Sequence, residues 1–302
     1  QMEEATVRRE VGEHEYGREA AASREEAVLG LCLNLATNDD FAAATMSGTK
    51  GLVVEVVLRA DADRSWGYPE VALSLLRSLL AGCPATLAPL ISAEIALATV
   101  IKAIKKGSVD QAACALGILE ALASGSDTAI HHSLISQPDL LDVLLNFADA
   151  RRAASEAFST ATYHPARSSA LRTLVALTTC RAGGGGEESH IAEGEHKGHI
   201  SVAATIALRR PAAGILTHCI IHRQWEEEDV PADQLPSDQS PPTATEARSM
   251  ALQLAAAAAR CSPHFRTKIG KEEGLVAALA GALAAEDGVE GKFREMQRTA
   301  SN

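Results

Sequence analysis

The sequence predicts an all-α protein, and within that class an α-solenoid in which short helices stack as repeated units. Three observations favour this fold: apolar residues at helical spacing, a short motif that recurs along the chain, and the composition. Of the 302 residues, 46% are hydrophobic but only 3% are aromatic. A core of alanine and leucine suits closely packed helices, because strands favour β-branched and aromatic residues.

Residues 27–58 contain the pattern of one repeated unit. A first helix carries four apolar residues at the i, i+3, i+4 and i+7 positions of one face: Val28, Leu31, Cys32 and Leu35. Residues 37–40 favour a turn and a helix N-cap, residues 41–46 can form about two helical turns, and residues 52–58 are a second apolar run. Such short helices cannot bury their apolar faces alone, so each unit needs a neighbour on both sides.

An alanine followed by an aliphatic residue, usually with leucine three positions further on, marks the third helix of each unit. The doublet begins at Ala27, Ala72, Ala115, Ala170 and, in a degraded form, Ala251. The first three copies lie about 45 residues apart, an interval typical of three-helix repeats. The third interval predicts an insertion at residues 150–166. The fourth predicts either a longer insertion, at residues 225–243, or a second weak unit.

The remaining elements follow from caps and breaks. Pro69 and Pro84 are suited to the first positions of helices, Gly107 to the end of one and Ser108 to the N-cap of the next. A turn and cap at 125–127 precede the next short helix. Helices are therefore predicted over residues 22–37, 41–47, 51–59, 70–82, 84–92, 93–106, 109–122, 128–136, 170–177, 215–221, 244–261, 263–270 and 274–285. A further helix is predicted to start at Pro138 with its apolar face at residues 140–145, and the helical pattern resumes over residues 190–210.

Four of these segments resemble the armadillo repeat family. They read "LNLATNDDFAAATMSGTKGLVVEVV", "ALSLLRSLLAGCP", "ALGILEALASGSDTAIHHSLIS" and "ARCSPHFRTKIGKEEGLVAAL". The resemblance covers residues 22–285, which we interpret as one armadillo-like helical repeat domain. It implies a right-handed superhelix of three-helix units, of the armadillo/HEAT type, whose third helices line a concave groove.

The resemblance also indicates where a partner would bind. Many members of the family hold an extended peptide with an asparagine on each third helix. Only the first third helix of this chain has one, and the corresponding positions of the others carry serine or alanine. The candidate partner groove is therefore formed by Asn34, Ser78, Ala121, Ala176 and Ala257. The small side chains would leave room for a partner helix.

The two ends of the chain lie outside the predicted domain. Residues 1–21 are dense in charge, and they are either disordered or the end of a preceding repeat. Residues 286–302 form a polar tail. The glycine run 183–186 favours a flexible tether, and residues 225–243 are acidic and rich in proline, which favours an exposed loop.

Charge and cysteine usage restrict the partner and the compartment. The formal net charge of −11 argues against nucleic acid as a partner, because phosphate binding needs a basic surface. No apolar run reaches the ~18 residues of a membrane span, so no membrane is expected. The six cysteines form no Cys-x-x-Cys pair, which favours reduced thiols in a cytoplasmic or nuclear protein.

Two histidine-rich places were considered as zinc sites. The first group comprises Cys180, His190, Glu195, His196 and His199, and the second His218, Cys219 and His222. Neither has the spacing of a closed zinc site, so we expect no metal, no cofactor and no catalytic residues. His131 and His132 lie within a predicted helix, where one is expected to pack and the other to face solvent.

These patterns predict a non-enzymatic protein–protein interaction scaffold that uses the concave face of a helical repeat. Two alternatives remain open. One is a regulatory or co-chaperone-type subunit of a larger complex, and the other is a zinc-binding protein that uses residues 190–222. Trp225, which is followed by four acidic residues, could also be a linear motif that docks on another protein.

Overall fold

The computed structural model describes residues 23–61, 63, 68–149, 160–179, 202–221, 244–272 and 275. Within these ranges the regular structure is entirely α-helical, so the all-α prediction is confirmed. The helices are α1 (23–38), α2 (Asp40–Gly48), α3 (Lys50–Arg59), α4 (Pro69–Gly82), α5 (Pro84–Ile91), α6 (Glu94–Lys106), α7 (Val109–Ser124), α8 (Thr128–Ile135), α9 (Leu140–Ala148), α10 (Thr160–Thr179), α11 (Val202–Leu208), α12 (Ala212–Ile221), α13 (Ala244–Cys261) and α14 (Pro263–Ile269).

The chain divides into two compact parts, an N-terminal half (Gln1–Val143) and a C-terminal half (Leu144–Asn302). In the N-terminal half, the third helix α4 packs against the short helix α2 and the second helix α3. In the same way, α7 packs against α5 and α6, and the two third helices α4 and α7 pack against each other. We call each set of three, α2–α4 and α5–α7, a triplet.

The C-terminal half contains a triplet with the same contacts. Its third helix α13 packs against the short helix α11 and the second helix α12, and also against α10, the third helix that precedes it. The Ala-aliphatic doublets at Ala170 and Ala251 lie on α10 and α13, so the third helices that the motif predicts are the helices that pack side by side.

Buried positions recur about every 44 residues, as expected for a three-helix repeat. On the short and second helices, the recurring buried residues are Ala43, Leu87 and His131; Val53, Leu97 and Leu141; Val56, Val100 and Leu144; and Ala60, Ile104 and Ala148. On the third helices they are Leu73 and Leu116, Leu76 and Leu119, and Leu79 and Leu122. One apolar pattern is therefore used repeatedly to build the core.

Local signals set the helix boundaries. The Asp39 side chain caps α2 by accepting hydrogen bonds from the amides of Phe41 and Ala42. Ser108 caps α7 in a capping box, in which its hydroxyl accepts from the Gln111 amide and the Gln111 side chain accepts from the Ser108 amide. The predicted cap at Ser108 is confirmed, as is the helix end at Gly107. Each cap satisfies amides that the first turn of a helix leaves without partners.

The predicted apolar face of the first helix requires a correction. Val28, Leu31 and Leu35 are 59%, 60% and 43% exposed, and the buried apolar residues of α1 are Leu29 and Ala36. The positions of α4 that align with the exposed residues through the doublet are all buried: Leu73, Leu76 and Leu80. The physical reason is packing, because α4 packs against the second helix α3, whereas no second helix precedes α1 in the described part of the chain.

Other boundaries differ less. Helix α10 begins at Thr160 and so extends into residues 150–166, the segment predicted as an insertion. Within 190–210, the described helix is α11. Of the predicted helix 274–285, only residue 275 is described, and residues 1–21, 225–243 and 286–302 lie outside the described residues.

Basic residues near the end of α6 connect it to neighbouring loops. Lys102 Nζ lies 2.6 Å from Asp61 Oδ1 and 2.5 Å from Asp63 Oδ2, in the segment between α3 and α4. The hydrogen bond from Lys102 lowers the pKa of Asp63, and the hydrogen bonds to Asp61 and Asp63 raise the pKa of Lys102. Lys105 makes a similar contact with Asp139 at 2.5 Å. These contacts tie successive repeats together at their edges.

Among the described helices, no single one is long and apolar enough to cross a membrane. Two pairs reach the required length and composition only when their helices are taken together. Each pair is sharply bent, by 94° between Asp40–Gly48 and Gly51–Arg59 and by 83° between Pro84–Ile91 and Glu94–Lys106.

Replacing Leu76 by alanine is expected to lower the free energy of unfolding by about 2–5 kcal/mol, because the side chain is buried and its removal leaves a cavity. The matched control is Leu31→Ala at the aligned position of α1, where exposure limits the expected change to about 0.5 kcal/mol. Urea denaturation measures both variants, and equal losses would contradict the described difference in packing.

The carboxyl of Asp63 is expected to titrate below its ordinary pKa of about 3.9 in the folded protein. A lowered pKa means that the interaction stabilises the fold above the unfolded-state pKa and is lost as the pH falls through the folded-state pKa. Carboxyl carbon NMR shifts measure this titration. Lys102→Met should raise the Asp63 midpoint towards its ordinary value, and an unchanged midpoint would show that Lys102 is not its partner.

Candidate functional site

The five predicted groove residues all lie on third helices and none is buried. Asn34 and Ala121 are exposed, and Ser78, Ala176 and Ala257 are partly exposed. In each half, therefore, the third helices turn these positions away from the core. We call the outward surface of α1, α4 and α7 the N-terminal face, and that of α10 and α13 the C-terminal face.

A contact between two hydroxyl groups joins α1 and α4 at the N-terminal face. Thr37 Oγ1 lies 3.4 Å from Ser78 Oγ. Within α1, the next residue, Asn38, donates through Nδ2 to the backbone oxygen of Asn34, one turn earlier, at 2.8 Å and to Asn34 Oδ1 at 3.2 Å. The structure thus places Thr37 beside Ser78 on the adjacent helix, and the carboxamide oxygen of Asn34 accepts a hydrogen bond from Asn38.

The junction of α4 and α7 continues this face. Ser74 Oγ lies 3.3 Å from Cys114 Sγ, and the Arg77 side chain lies across Gly117. A Cβ atom at Gly117 would come within 2.8 Å of Arg77 Nε and 3.1 Å of Arg77 Cδ. Glycine at this position therefore lets the arginine lie close against α7. Ala121 is one helical turn beyond Gly117 and is open to solvent.

The C-terminal face contains a cavity of about 410 Å³ between α10 and α13. Its lining residues are Thr178, Thr179, Gln253, Ala256, Ala257 and Arg260. The predicted residue Ala257 is in the wall, and Ala176 is just before it on α10, where its backbone oxygen accepts from Thr179 Oγ1 at 3.2 Å. The cavity therefore combines small apolar side chains with hydroxyl, amide and guanidinium groups.

An ion pair joins the same two helices away from the cavity. Arg172 donates through Nε to Glu246 Oε1 at 3.0 Å and through Nη2 to Glu246 Oε2 at 3.1 Å. This two-point contact fixes orientation as well as distance. Because both side chains are more than a third exposed, its contribution to stability is at most about 1 kcal/mol.

Sequence reasoning missed the polar residues of both faces. Arg77 is adjacent to Ser78, while Gln253 and Arg260 are four residues before and three residues after Ala257, on the same side of α13. Following the helical spacing outward from the predicted alanines and serine would have found them. The missed residues matter because they supply the charges and amides of the surface.

The described residues contain no group of three or more His, Cys, Asp or Glu side chains that could hold a metal ion. Of the second histidine-containing group, Cys219 is buried and its thiol donates to the backbone oxygen of Ala148 at 3.1 Å. Arg167 donates to the same oxygen at 3.2 Å. Both side chains therefore provide hydrogen bonds to a backbone oxygen in the last turn of α9, where helix carbonyls lack partners within the helix. The other members of that group and of the first lie outside the described residues, except His218.

The histidine pair on α8 follows the prediction. His131 is buried, and its Nε2 donates to the backbone oxygen of Ala123 at 2.7 Å, whereas His132 is exposed. His131 occupies the position of Ala43 and Leu87 in the preceding repeats. A packing and hydrogen-bonding role therefore accounts for this ring.

Comparison of the chain with protein-family models, with curated proteins and with solved structures gave no match. The geometry of the two faces is therefore the basis on which a function is proposed. Both are outward surfaces of adjacent helices that carry small side chains, hydrogen-bonding groups and an arginine.

Proposed function

We propose that this chain is a non-enzymatic protein–protein interaction module of the armadillo-repeat type. In this proposal the helix triplets stack as a right-handed α-solenoid, and a partner protein binds the outward faces of the third helices. The observation that carries the proposal is the side-by-side packing of third helices in each half, α4 with α7 and α10 with α13. A wall of adjacent helices is the kind of surface that helical-repeat proteins use for binding.

The mechanism is burial of partner surface on a wall that is already in place. Hydrogen bonds such as Thr37 with Ser78, and the ion pair of Arg172 with Glu246, hold neighbouring third helices together before any partner arrives. A preorganised surface loses little conformational entropy on binding, so more of the contact energy contributes to affinity. Because the side chains of Ala121 and Ala257 are short, a partner helix can approach the third helices closely.

A protein is a better candidate partner than nucleic acid or a membrane, because the net charge of −11 would repel phosphate groups. Cys32, Cys83, Cys114 and Cys219 are free thiols. Free thiols are consistent with the proposed cytoplasmic or nuclear location. A regulatory or co-chaperone-type subunit would use the same faces for one specific client.

Replacing Ala121 by arginine is expected to reduce the recovery of the bound partner at least tenfold, since a long charged side chain would stand between the partner and α7. The control is Ala85→Arg, the same change at an exposed alanine of the short helix α5. Quantitative affinity capture from cells, followed by mass spectrometry, compares both variants with the wild-type chain, and circular dichroism checks that both remain folded.

The same comparison applies to the C-terminal face, with Ala257→Arg as the variant and Thr267→Arg, at an exposed site on α14, as the control. Proteins that are lost with the groove variants and retained with the controls identify the face that binds. A set of captured proteins that is the same for all four variants would contradict the proposal.

A further inference from the structure

The charged groups on the two faces indicate the chemistry of the partner. On the N-terminal face, Arg77 is exposed, and it forms no hydrogen bond or ion pair within the part of the chain that the structure describes. In the same half, Arg59 pairs with Glu25 and Glu55, and Lys102 pairs with Asp61 and Asp63. The Arg77 guanidinium is therefore available to a carboxylate from outside.

The position of Arg77 is defined by the helix beneath it. Its side chain passes over Gly117, where any Cβ would approach Nε to 2.8 Å. Lying against α7 limits the rotamers open to the side chain, so less entropy is lost when the guanidinium binds. The residue of α7 that corresponds to Arg77 of α4 is Glu120, and this residue already interacts with another group.

The C-terminal face offers a similar group. Arg260 is exposed in the wall of the cavity, and it has no hydrogen-bonding or ionic partner among the described residues. Thr178 Oγ1 and Thr179 Oγ1 donate to the backbone oxygen of Val175 at 2.8 and 3.0 Å. Their hydrogens are thus used, and their oxygens can accept hydrogen bonds, for example from backbone amides of a partner.

We propose that both third-helix faces recognise an acidic segment of the partner protein, with Arg77 and Arg260 each receiving a carboxylate. This inference rests on the proposed function and adds the chemistry of the ligand to it. A guanidinium binds a carboxylate through two parallel hydrogen bonds, which a lysine ammonium cannot reproduce. At the C-terminal face, Gln253 and the two threonine oxygens would contact the backbone of the same segment.

Charge complementarity is local, since the chain as a whole is acidic. At physiological ionic strength the Debye length is about 8 Å, so distant acidic groups are largely screened and the nearest charges decide the contact. Arg77 and Arg260 supply such nearby positive charge on the two faces. A basic segment would instead be attracted to the acidic remainder of the surface.

The probe for this proposal is a fluorescein-labelled peptide of alternating glutamate and glycine, with the lysine–glycine peptide as its counterpart. Fluorescence anisotropy is measured at physiological ionic strength on the full chain. The wild-type chain is expected to bind the glutamate peptide. The double variant Arg77→Glu with Arg260→Glu should bind it about tenfold more weakly, because exposed ion pairs each contribute up to about fivefold.

The matched control is Arg266→Glu, which makes the same charge change at an exposed arginine of the short helix α14. It should stay within about twofold of the wild-type affinity, because Arg266 does not line the cavity that contains Arg260. No binding of the glutamate peptide by the wild-type chain, or an equal loss in the control, would overturn the acidic-partner proposal. The comparison of Ala121→Arg with Ala85→Arg would still test the proposed function independently.

Gly117→Ala tests the position of Arg77 without changing any charge. The added methyl group forces the arginine side chain away from α7, while alanine is the better helix former, so the fold should be kept. We expect about threefold weaker binding of the glutamate peptide at an unchanged melting temperature. An unchanged affinity would show that the contact of the Arg77 side chain with Gly117 does not affect binding, and it would overturn this part of the proposal.

Discussion

The fold depends on covering the leucine-rich side of each third helix. In α4, Leu73, Leu76 and Leu80 are almost completely buried, and α4 packs against a second helix of its own triplet and the next third helix. Each such leucine contributes about 1.5–3 kcal/mol when it is removed from water. The same positions of α1 are exposed, so the burial of a third helix is a property of its neighbours as much as of its own sequence.

Only the side of a third helix that contacts other helices must be apolar, so the residues on its outward side can be polar or charged. Residues that face the second helix must be large and aliphatic, and those at helix junctions must be small, as Gly117 is beneath Arg77. The outward side carries no packing requirement, and there the chain places hydroxyl, amide and guanidinium groups. The two faces therefore differ in chemistry from the core, although they lie on the same helices.

The sequence was sufficient for the elements that local signals define. The capping box at Ser108, the helix end at Gly107 and the doublets of the third helices agree with the structure, because each depends on residues within one or two turns. The exposure of Val28, Leu31 and Leu35 could not be predicted from their spacing, since spacing shows that a helix has an apolar side but not whether a neighbour covers it.

For the candidate site, the sequence predicted the positions but not the chemistry. Asn34, Ser78, Ala121, Ala176 and Ala257 lie on third helices at positions that are not buried; Asn34 is one residue out of register with the other four. Arg77 and Arg260 were missed because an exposed arginine is common on any helix. What distinguishes these two is tertiary: one lies on the glycine of a neighbouring helix, and the other lines a cavity between two helices.

Side-by-side packing of the third helices is the claim on which the rest depends, and a cross-link tests it most directly. Ser74 Oγ and Cys114 Sγ are 3.3 Å apart on α4 and α7, so Ser74→Cys should form a disulfide with Cys114 under mild oxidation. Mass spectrometry of the digested protein detects this bond. Rapid formation of the link, and its loss when Cys114→Ser is added, is the predicted result. An introduced thiol that stays reduced, or pairs with a different cysteine, would contradict the packing of α4 against α7.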